Sequence, residues 1–350
     1  MRYVSAERLQ KIGMKIFDAA GSPHDESDLV SDMLVRSNLA GHDSHGVMRI
    51  SQYVKQIRSG ELRPGATVEV QRETRSTAVI QGHQGWGPVV ARKAMRLAMD
   101  KAHQHSVGMV TVRGSQHVGR LGEYPRMAAE EKMISLALVN SHGVGEETVV
   151  PWGGLDRRFT PNPMAFAAPT GEEWPILVDF SASVIPEGKV RDAFYKGEHL
   201  REGCIIDHEG NPTTDPADFY GSPPGALLPL GGIVGHKGYG LLIVTELLGG
   251  ALSAAGCAGQ RVMTTGNGAF FQAIDIDDFL PVEEFIETVQ ELISWVKSSR
   301  KKEGVSEILL PGEPEYRTAQ ERRETGIPLP DSVWEEILNL AADLDVELPT

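Results

Sequence analysis

TAVIQGHQGWGPVVARKAMRLAMDKAHQHSVGMVTV, residues 77–112, reads as strand, helix and strand. Its ends are short apolar runs rich in β-branched side chains, Thr77-Ala78-Val79-Ile80 and Met109-Val110-Thr111-Val112. Between them Pro88 stands where a first helical turn tolerates a missing N–H, and the helix carries on to His105. A further helix is expected from Gly119 to Lys132, and Ile134–Val139 and Ile176–Phe180 are more strand-like runs. Strands alternating with helices make a layered α/β domain, which we place at residues 76–235.

Outward from this domain the chain reads as helical. Ser5 caps a helix with Leu9, Ile12, Ile16 and Phe17 as its stripe and Gly21 at its end. Ser22, Pro23 and Asp25 read as cap, first position and capping box of the next, which buries Leu29, Val30, Met33 and Leu34 and ends at Gly41. A third helix is expected from Val47 to Ile57, stopped by Gly60 and Pro64. Beyond the domain, GHKGYG leads into an apolar helix from Tyr239, and charged helices are expected over Val282–Lys302 and Ser332–Leu344. Residues 1–75 and 236–350 therefore read as mainly helical.

Composition narrows the function classes. A chain of 350 residues exceeds what one core organises, so a second domain is expected. A net charge of -14 argues against a nucleic-acid partner, which needs clustered Lys and Arg. Cys204 and Cys257 are the only cysteines, which excludes a disulfide framework and fits a reducing, cytoplasmic location. The first residues lack the apolar core of a signal peptide, and no apolar run is long enough to span a membrane.

The common fingerprints are missing: no GxGxxG, GxxxxGK[ST], HExxH or GxSxG occurs. The densest polar cluster runs from His42 to Tyr53. If a helix starts near Ser44, then His45, Arg49 and Tyr53 follow at i, i+4 and i+8 on one face. Such a face suits a 2-oxo acid, with arginine gripping the carboxylate and histidine protonating the developing alkoxide. On spacing alone the same residues more often describe a solvated helix face capped by Asp43 or Ser44. A metal site from His42, Asp43 and His45 would need further ligands that the sequence does not announce, so no metal is expected. His117 stands in a turn directly after a strand, where α/β sites gather ligands, although a lone turn histidine is more often structural than catalytic. Asp179, Ser181 and Ser183 at a strand end could hold ribose hydroxyls or simply cap a turn. Lys237, in the glycine-rich run Gly231–Gly240, could meet a phosphate, or the run could be a plain loop.

Read together, AGHDSHGVMRISQYV, SQHVGRLGEY, VNSHG with PWGG, PNPMAFAAPTG, LVDFSAS with GK, GNPTTDP, LPLGG with HKGYGL, LLPGE and GIPLPDSVW carry a resemblance. In collinear order over nearly the whole chain, they resemble the malate/L-lactate dehydrogenase family of the sulfolactate dehydrogenase-like, non-Rossmann type. AGHDSHG and KAHQH look most like its broad-specificity hydroxycarboxylate dehydrogenases.

The resemblance implies a layered mixed-sheet nucleotide-binding domain that is not Rossmann, plus a helical substrate and dimerisation domain built from both termini. It also implies a homodimer that uses NAD or NADP on a small 2-hydroxy/2-oxo acid. Acid/base histidines would be His45 and His117, with Ser44 orienting His45, and Arg49 with Tyr53 holding the substrate carboxylate. Cofactor contacts would fall on Ser141, on Val178, Asp179, Phe180, Ser181, Ala182, Ser183 and Val184, on His236 and Lys237, and on Gly312 and Glu313. The chain departs from the family wording where Thr160-Pro161-Asn162-Pro163 replaces GTNP and where Ala182 replaces a threonine. An imine reductase acting on a cyclic 2-imino acid would use the same Arg49 and His45. A nucleotide-binding protein without catalysis would keep only the cofactor contacts, and a metal hydrolase lacks its HExxH.

Overall fold

The computed structural model describes residues 1–142, 147–260 and 266–349; Gly143 of the VNSHG stretch lies outside them. The 77–112 stretch forms strand β3 (Thr77–Gly85), helix α4 (Gly87–His105) and strand β4 (Val107–Ser115). β3 and β4 pair in parallel, which requires a crossover. Helix α4 is that crossover, and its Val90, Ala91, Ala94, Met95 and Ala98 bury against Ile80, Val110 and Val112. Strands β2 (Glu69–Glu73), β5 (Met133–His142), β6 (Met164–Ala168), β7 (Ile176–Phe180) and β11 (Gly266–Asp275) complete a seven-stranded sheet ordered β2-β3-β4-β11-β5-β6-β7. These join by antiparallel pairing, so the sheet is mixed and not a Rossmann sheet. Helix α5 (Glu123–Glu130) packs over β5 and β6; it is shorter than the expected Gly119–Lys132 because Gly119 takes φ +80, outside helical space.

The central strand comes from the part of the chain read as helical. β11 lies between β4 and β5, so a boundary after residue 235 does not separate sheet from helices. Its only sequence signal is the alternation Ala269, Phe271, Ala273, all buried on the α4 side.

Both termini build the helical layer. Helices α1 (Ala6–Ala19), α2 (His24–Leu39), α3 (Ile50–Ser59), α10 (Glu313–Thr325) and α11 (Asp331–Asp343) surround it, and strand β1 (Arg2–Val4) pairs antiparallel with β12 (Ile327–Leu329). Its core includes Leu9, Phe17, Val30, Tyr53, Trp86 and Trp334. Ser5 caps α1, accepting a hydrogen bond from Arg8 N at 3.3 Å. Ser22 does not cap α2; its Oγ accepts the buried Trp86 Nε1–H at 3.0 Å, because an interior indole needs an acceptor.

A smaller lobe was not foreseen within residues 76–235. Strands β8 (Ile205–Ile206), β9 (Pro212–Thr213) and β10 (Ala226–Leu227) form a separate sheet. With α6 (Glu187–Lys196), α7 (Pro216–Phe219) and α8 (His236–Thr245) they enclose Val149, Val190, Phe219, Leu227 and Leu242. Helix α8 runs on into a π turn, Glu246–Ala251, and α9 (Val282–Lys297) ends at Lys297 rather than Lys302. Among the described residues no helix is long and apolar enough to cross a membrane.

Candidate active site

His117 follows the end of β4 and is held from behind by the start of α4. A Cβ on Gly87 would stand 2.0 Å from the His117 carbonyl oxygen, so only glycine lets the helix approach this closely. Asn267 of β11 accepts the next amide, Val118 N, at 3.0 Å. In front, Tyr53 Oη lies 2.8 Å from His117 Nδ1. The Tyr53 ring cannot swing away, since Trp86 packs edge-on against it at 5.5 Å and Phe17 at 6.4 Å.

The expected continuous helix from Ser44 does not form. Asp43–His45 and Val47–Arg49 are separate 3-10 turns, and α3 begins at Ile50. Gly46 separates them in extended conformation, pressed on Asn38: a Cβ there would lie 2.2 Å from Asn38 Oδ1. That oxygen accepts Val47 N at 2.8 Å, while Asn38 Nδ2 reaches Asp43 at 2.6 Å. Arg322 of α10 clamps Asp43 with bonds of 2.7 and 3.1 Å. The break aims His45 at His117, and the rings stack with centroids 5.6 Å apart. His45, Arg49, Tyr53 and His117 thus meet, through a kinked loop rather than one helix face.

Each imidazole engages a neutral hydroxyl through Nδ1, Ser44 Oγ at 3.0 Å for His45 and Tyr53 Oη for His117. Neither Nε2 has a hydrogen-bond partner among the described residues. Burial, then Arg49, His42 and Arg120, push His45 down to about 3. Burial, then Arg49 and His45, hold His117 well below its ordinary value. Both rings are therefore neutral bases near pH 7. Burial pushes Tyr53 up to about 12, so it remains a phenol. Arg49 donates Nε–H to Ser44 O at 2.7 Å and Nη1–H to Gln52 Oε1 at 2.6 Å. Among the described residues no carboxylate pairs with it. Burial lowers its pKa, but a guanidinium stays charged. The result is a held cation, without a counter-ion, facing two neutral imidazoles.

The remaining expected residues divide into separate places. Asp179 accepts Gly122 N at 2.8 Å and lies 3.6 Å from Arg120 Nε; burial raises its pKa. Ser181 and Ser183 share a hydroxyl contact at 3.1 Å, and Ser183 also donates to Ile185 O at 2.8 Å. Val178 and Phe180 are edge-strand residues paired with Phe166 and Met164, and Val184 N donates to Leu228 O at 3.0 Å. Ala182 is fully buried, its N–H goes to Pro161 O and its oxygen accepts Leu230 N. Burial would raise the Glu313 carboxyl, but Lys297, the Leu310 amide and Arg317 all engage it and hold it lower. Ser141 Oγ accepts Asn267 Nδ2 at 2.8 Å. Exposed His236 and Lys237 open α8, with the His236 ring edge-on to Trp152 at 5.9 Å.

Gly312 and Leu177 line a cleft of about 520 Å³ between α2, α5, β7 and α10. Arg120, which the sequence reading passed over, lines it too. Its Nη1 donates to Glu123 at 2.9 Å, yet buried Nε and Nη2 have no hydrogen-bond partner.

The class that this fold and site define is that of hydroxy-acid dehydrogenases built on a mixed, non-Rossmann sheet. The chain belongs to the malate/L-lactate dehydrogenase family, whose model matches residues 4–338. It is 39% identical over 352 residues to malate dehydrogenase from Pyrococcus horikoshii, spanning 98% of this chain and 96% of that one. It is 35% identical over 343 residues to hydroxycarboxylate dehydrogenase B from Escherichia coli K12, spanning 97% and 93%. Among solved structures, malate dehydrogenase from Entamoeba histolytica superposes with a TM-score of 0.94 at 29% identity, over 100% of this chain and 99% of that one.

Proposed function

We propose that the chain interconverts a small 2-hydroxy acid and its 2-oxo acid with NAD or NADP. The observation that carries this reading is Arg49, a half-buried guanidinium with only neutral acceptors, placed beside two imidazoles with open Nε2 atoms. A partly desolvated charge without a partner is costly, and a substrate carboxylate would relieve it. With the carboxylate on Arg49, a neutral imidazole takes the C2 hydroxyl proton during oxidation, and the imidazolium returns it during reduction. Tyr53 and Ser44 orient the rings through Nδ1.

The residues present fit a dinucleotide. The cleft beside Gly312 has a volume typical of cofactor sites, and the unpartnered N–H groups of Arg120 need an acceptor there. Arg120, Asp179, Gly312 and Ser141 would hold it together with Lys237, which has no partner among the described residues. When bound, nicotinamide would accept hydride from C2 or return it. Oxidation of NADH and NADPH should be followed by absorbance against a panel of 2-oxo acids and cyclic 2-imino acids. Turnover is expected on 2-oxo acids. Imino acids alone would replace the substrate class, and cofactor binding without any turnover would replace catalysis by a binding role.

We also propose a homodimer formed through α8. Ile233, Val244, Leu247 and Leu252 are 96%, 41%, 56% and 58% exposed along this helix and its flanks, an apolar row unsuited to water. Leu247→Asp is expected to convert a dimer to monomers in light scattering; a monomeric wild type would overturn the assignment.

A further inference from the structure

Glu246 opens the π turn that follows α8, and the chemistry proposed above makes no use of it. Its side chain is buried, and no cation pairs with it among the described residues. A buried carboxylate is costly unless hydrogen bonds hold it. Three donors do so, each from a different stretch of chain. Oε1 accepts Asn162 Nδ2 at 2.7 Å, while Oε2 accepts Ala258 N at 2.8 Å and Asn140 Nδ2 at 3.4 Å. Donors therefore face both oxygens, and a carboxylate, unlike an amide, accepts on both.

Two routes lead from this carboxylate to the groups assigned to the dinucleotide. The first runs through Asn140, whose amide is crowded by glycines. A Cβ on Gly250 would stand 2.7 Å from Asn140 Nδ2, and one on Gly268 2.5 Å from Oδ1. The buried Oδ1 has no hydrogen-bond partner, so the amide is held through Nδ2 alone, by Glu246 and by Gly256 O at 2.9 Å. Next in the chain, Ser141 Oγ accepts Asn267 Nδ2, and Asn267 Oδ1 accepts Val118 N beside His117. The second route runs through Asn162, held at φ +42 in the left-handed region. Its neighbour Pro161 accepts Ala182 N at 2.8 Å, and Ala182 O accepts Leu230 N at 2.9 Å. Leu230 leads into the glycine-rich run and α8, which opens on His236 and Lys237 and ends next to Glu246. The second route is thus a closed ring, and the Glu246–Asn162 bond closes it.

We propose that Glu246 is a positioning residue for the nicotinamide coenzyme, fixing the spacing between Ser141, the strand end Asp179–Val184 and Lys237. This rests on the NAD or NADP reading above. Glu246 acts only through Asn140 and Asn162.

Glu246→Gln tests this, because it keeps the size and removes one acceptor. The new oxygen can serve Ala258 N and Asn140, but the new NH2 then meets Asn162 Nδ2, donor against donor. Adding Asn162→Asp restores that bond with its direction reversed, and Thr160 Oγ1 still has an oxygen to donate to at position 162. NADH and NADPH are titrated into each protein for Kd, and kcat and both KM values are measured with oxaloacetate and pyruvate. Glu246→Gln should raise the Kd and KM of the preferred coenzyme about tenfold, with kcat and the 2-oxo acid KM within about threefold. The double variant should return to within about threefold of the wild type on every value. Unchanged coenzyme values would overturn the proposal even if Tm falls. Equal rises in both KM values with a fall in kcat would do the same, since a loosened fold acts on everything. If Glu246→Gln does not fold, the double variant decides: wild-type coenzyme Kd supports the proposal, and weak binding or failure to fold overturns it. A wild type that binds neither coenzyme would instead overturn the NAD or NADP reading.

Discussion

Arg49→Lys is expected to lower kcat/KM for a 2-oxo acid by about 10³, with the larger share in KM. The reason is geometric. Nε and Nη1 of Arg49 are anchored on Ser44 O and Gln52 Oε1, and this fixes the plane of the guanidinium and leaves its Nη2 without a partner among the described residues. An ammonium group has no plane to fix and cannot make paired bonds to a carboxylate. Removing one partner of a desolvated charge pair costs about 2–5 kcal/mol, equivalent to about 30-fold to several thousandfold in rate. Both anchoring acceptors are neutral, so the substitution strands no buried carboxylate and the fold should survive. A second consequence separates this from a packing defect. Arg49 is a cause of the lowered pKa of both imidazoles, so its loss should move their titration upward in kcat/KM profiles of Arg49→Gln. A variant with unchanged kcat/KM would remove Arg49 from the carboxylate site.

Strong local signals carried over from sequence to structure. The strand-helix-strand reading of residues 77–112 needed only β-branched runs and a proline at a helix start, and it located the parallel pair β3 and β4. Weak signals did not. β11 carries a three-residue alternation between helical neighbours, and only the finished sheet shows it as the central strand. The polar cluster from His42 to Tyr53 was legible as residue types, but not as geometry. Gly46 looks like any glycine until Asn38 is seen pressed against it, and Arg322, which clamps the loop, lies far along the chain. Arg120 carries no pattern of its own; it gains meaning from what surrounds it in space. The two departures from family wording also turn out to touch. Ala182 N donates to Pro161 O, within the Thr160–Pro163 stretch, at 2.8 Å. Asn162 of that stretch is tied to the buried Glu246 of the π turn at 2.7 Å.

His117→Ala is expected to lower kcat by about 10³, and His45→Ala by about tenfold with a rise in KM, because His117 is placed to carry the proton. His117 sits at the end of a sheet strand, pressed by Gly87 and held at Nδ1 by a phenol that the helical core immobilises. His45 rests on a 3-10 turn and is steadied only by its neighbour Ser44, so it serves better as a wall stacked on the reacting ring. The pH dependence carries the sign. His117 titrates below its ordinary value of 6.5, so the free enzyme holds a neutral base at pH 7. Oxidation should then keep a flat kcat/KM through neutral pH and fall only in acid. Reduction needs the imidazolium, so its kcat/KM should rise as pH falls from neutral, about tenfold per unit, until the lowered pKa is reached. Stability runs the other way on the acid side. The folded chain binds fewer protons at these histidines than the unfolded chain, so their contribution is complete above 6.5 and is lost as pH falls toward the lowered values. Circular dichroism at each pH keeps the two effects apart. If His45→Ala loses the larger factor in kcat while His117→Ala keeps the wild-type pH profile, the proton belongs to His45, and His117 is the positioning ring.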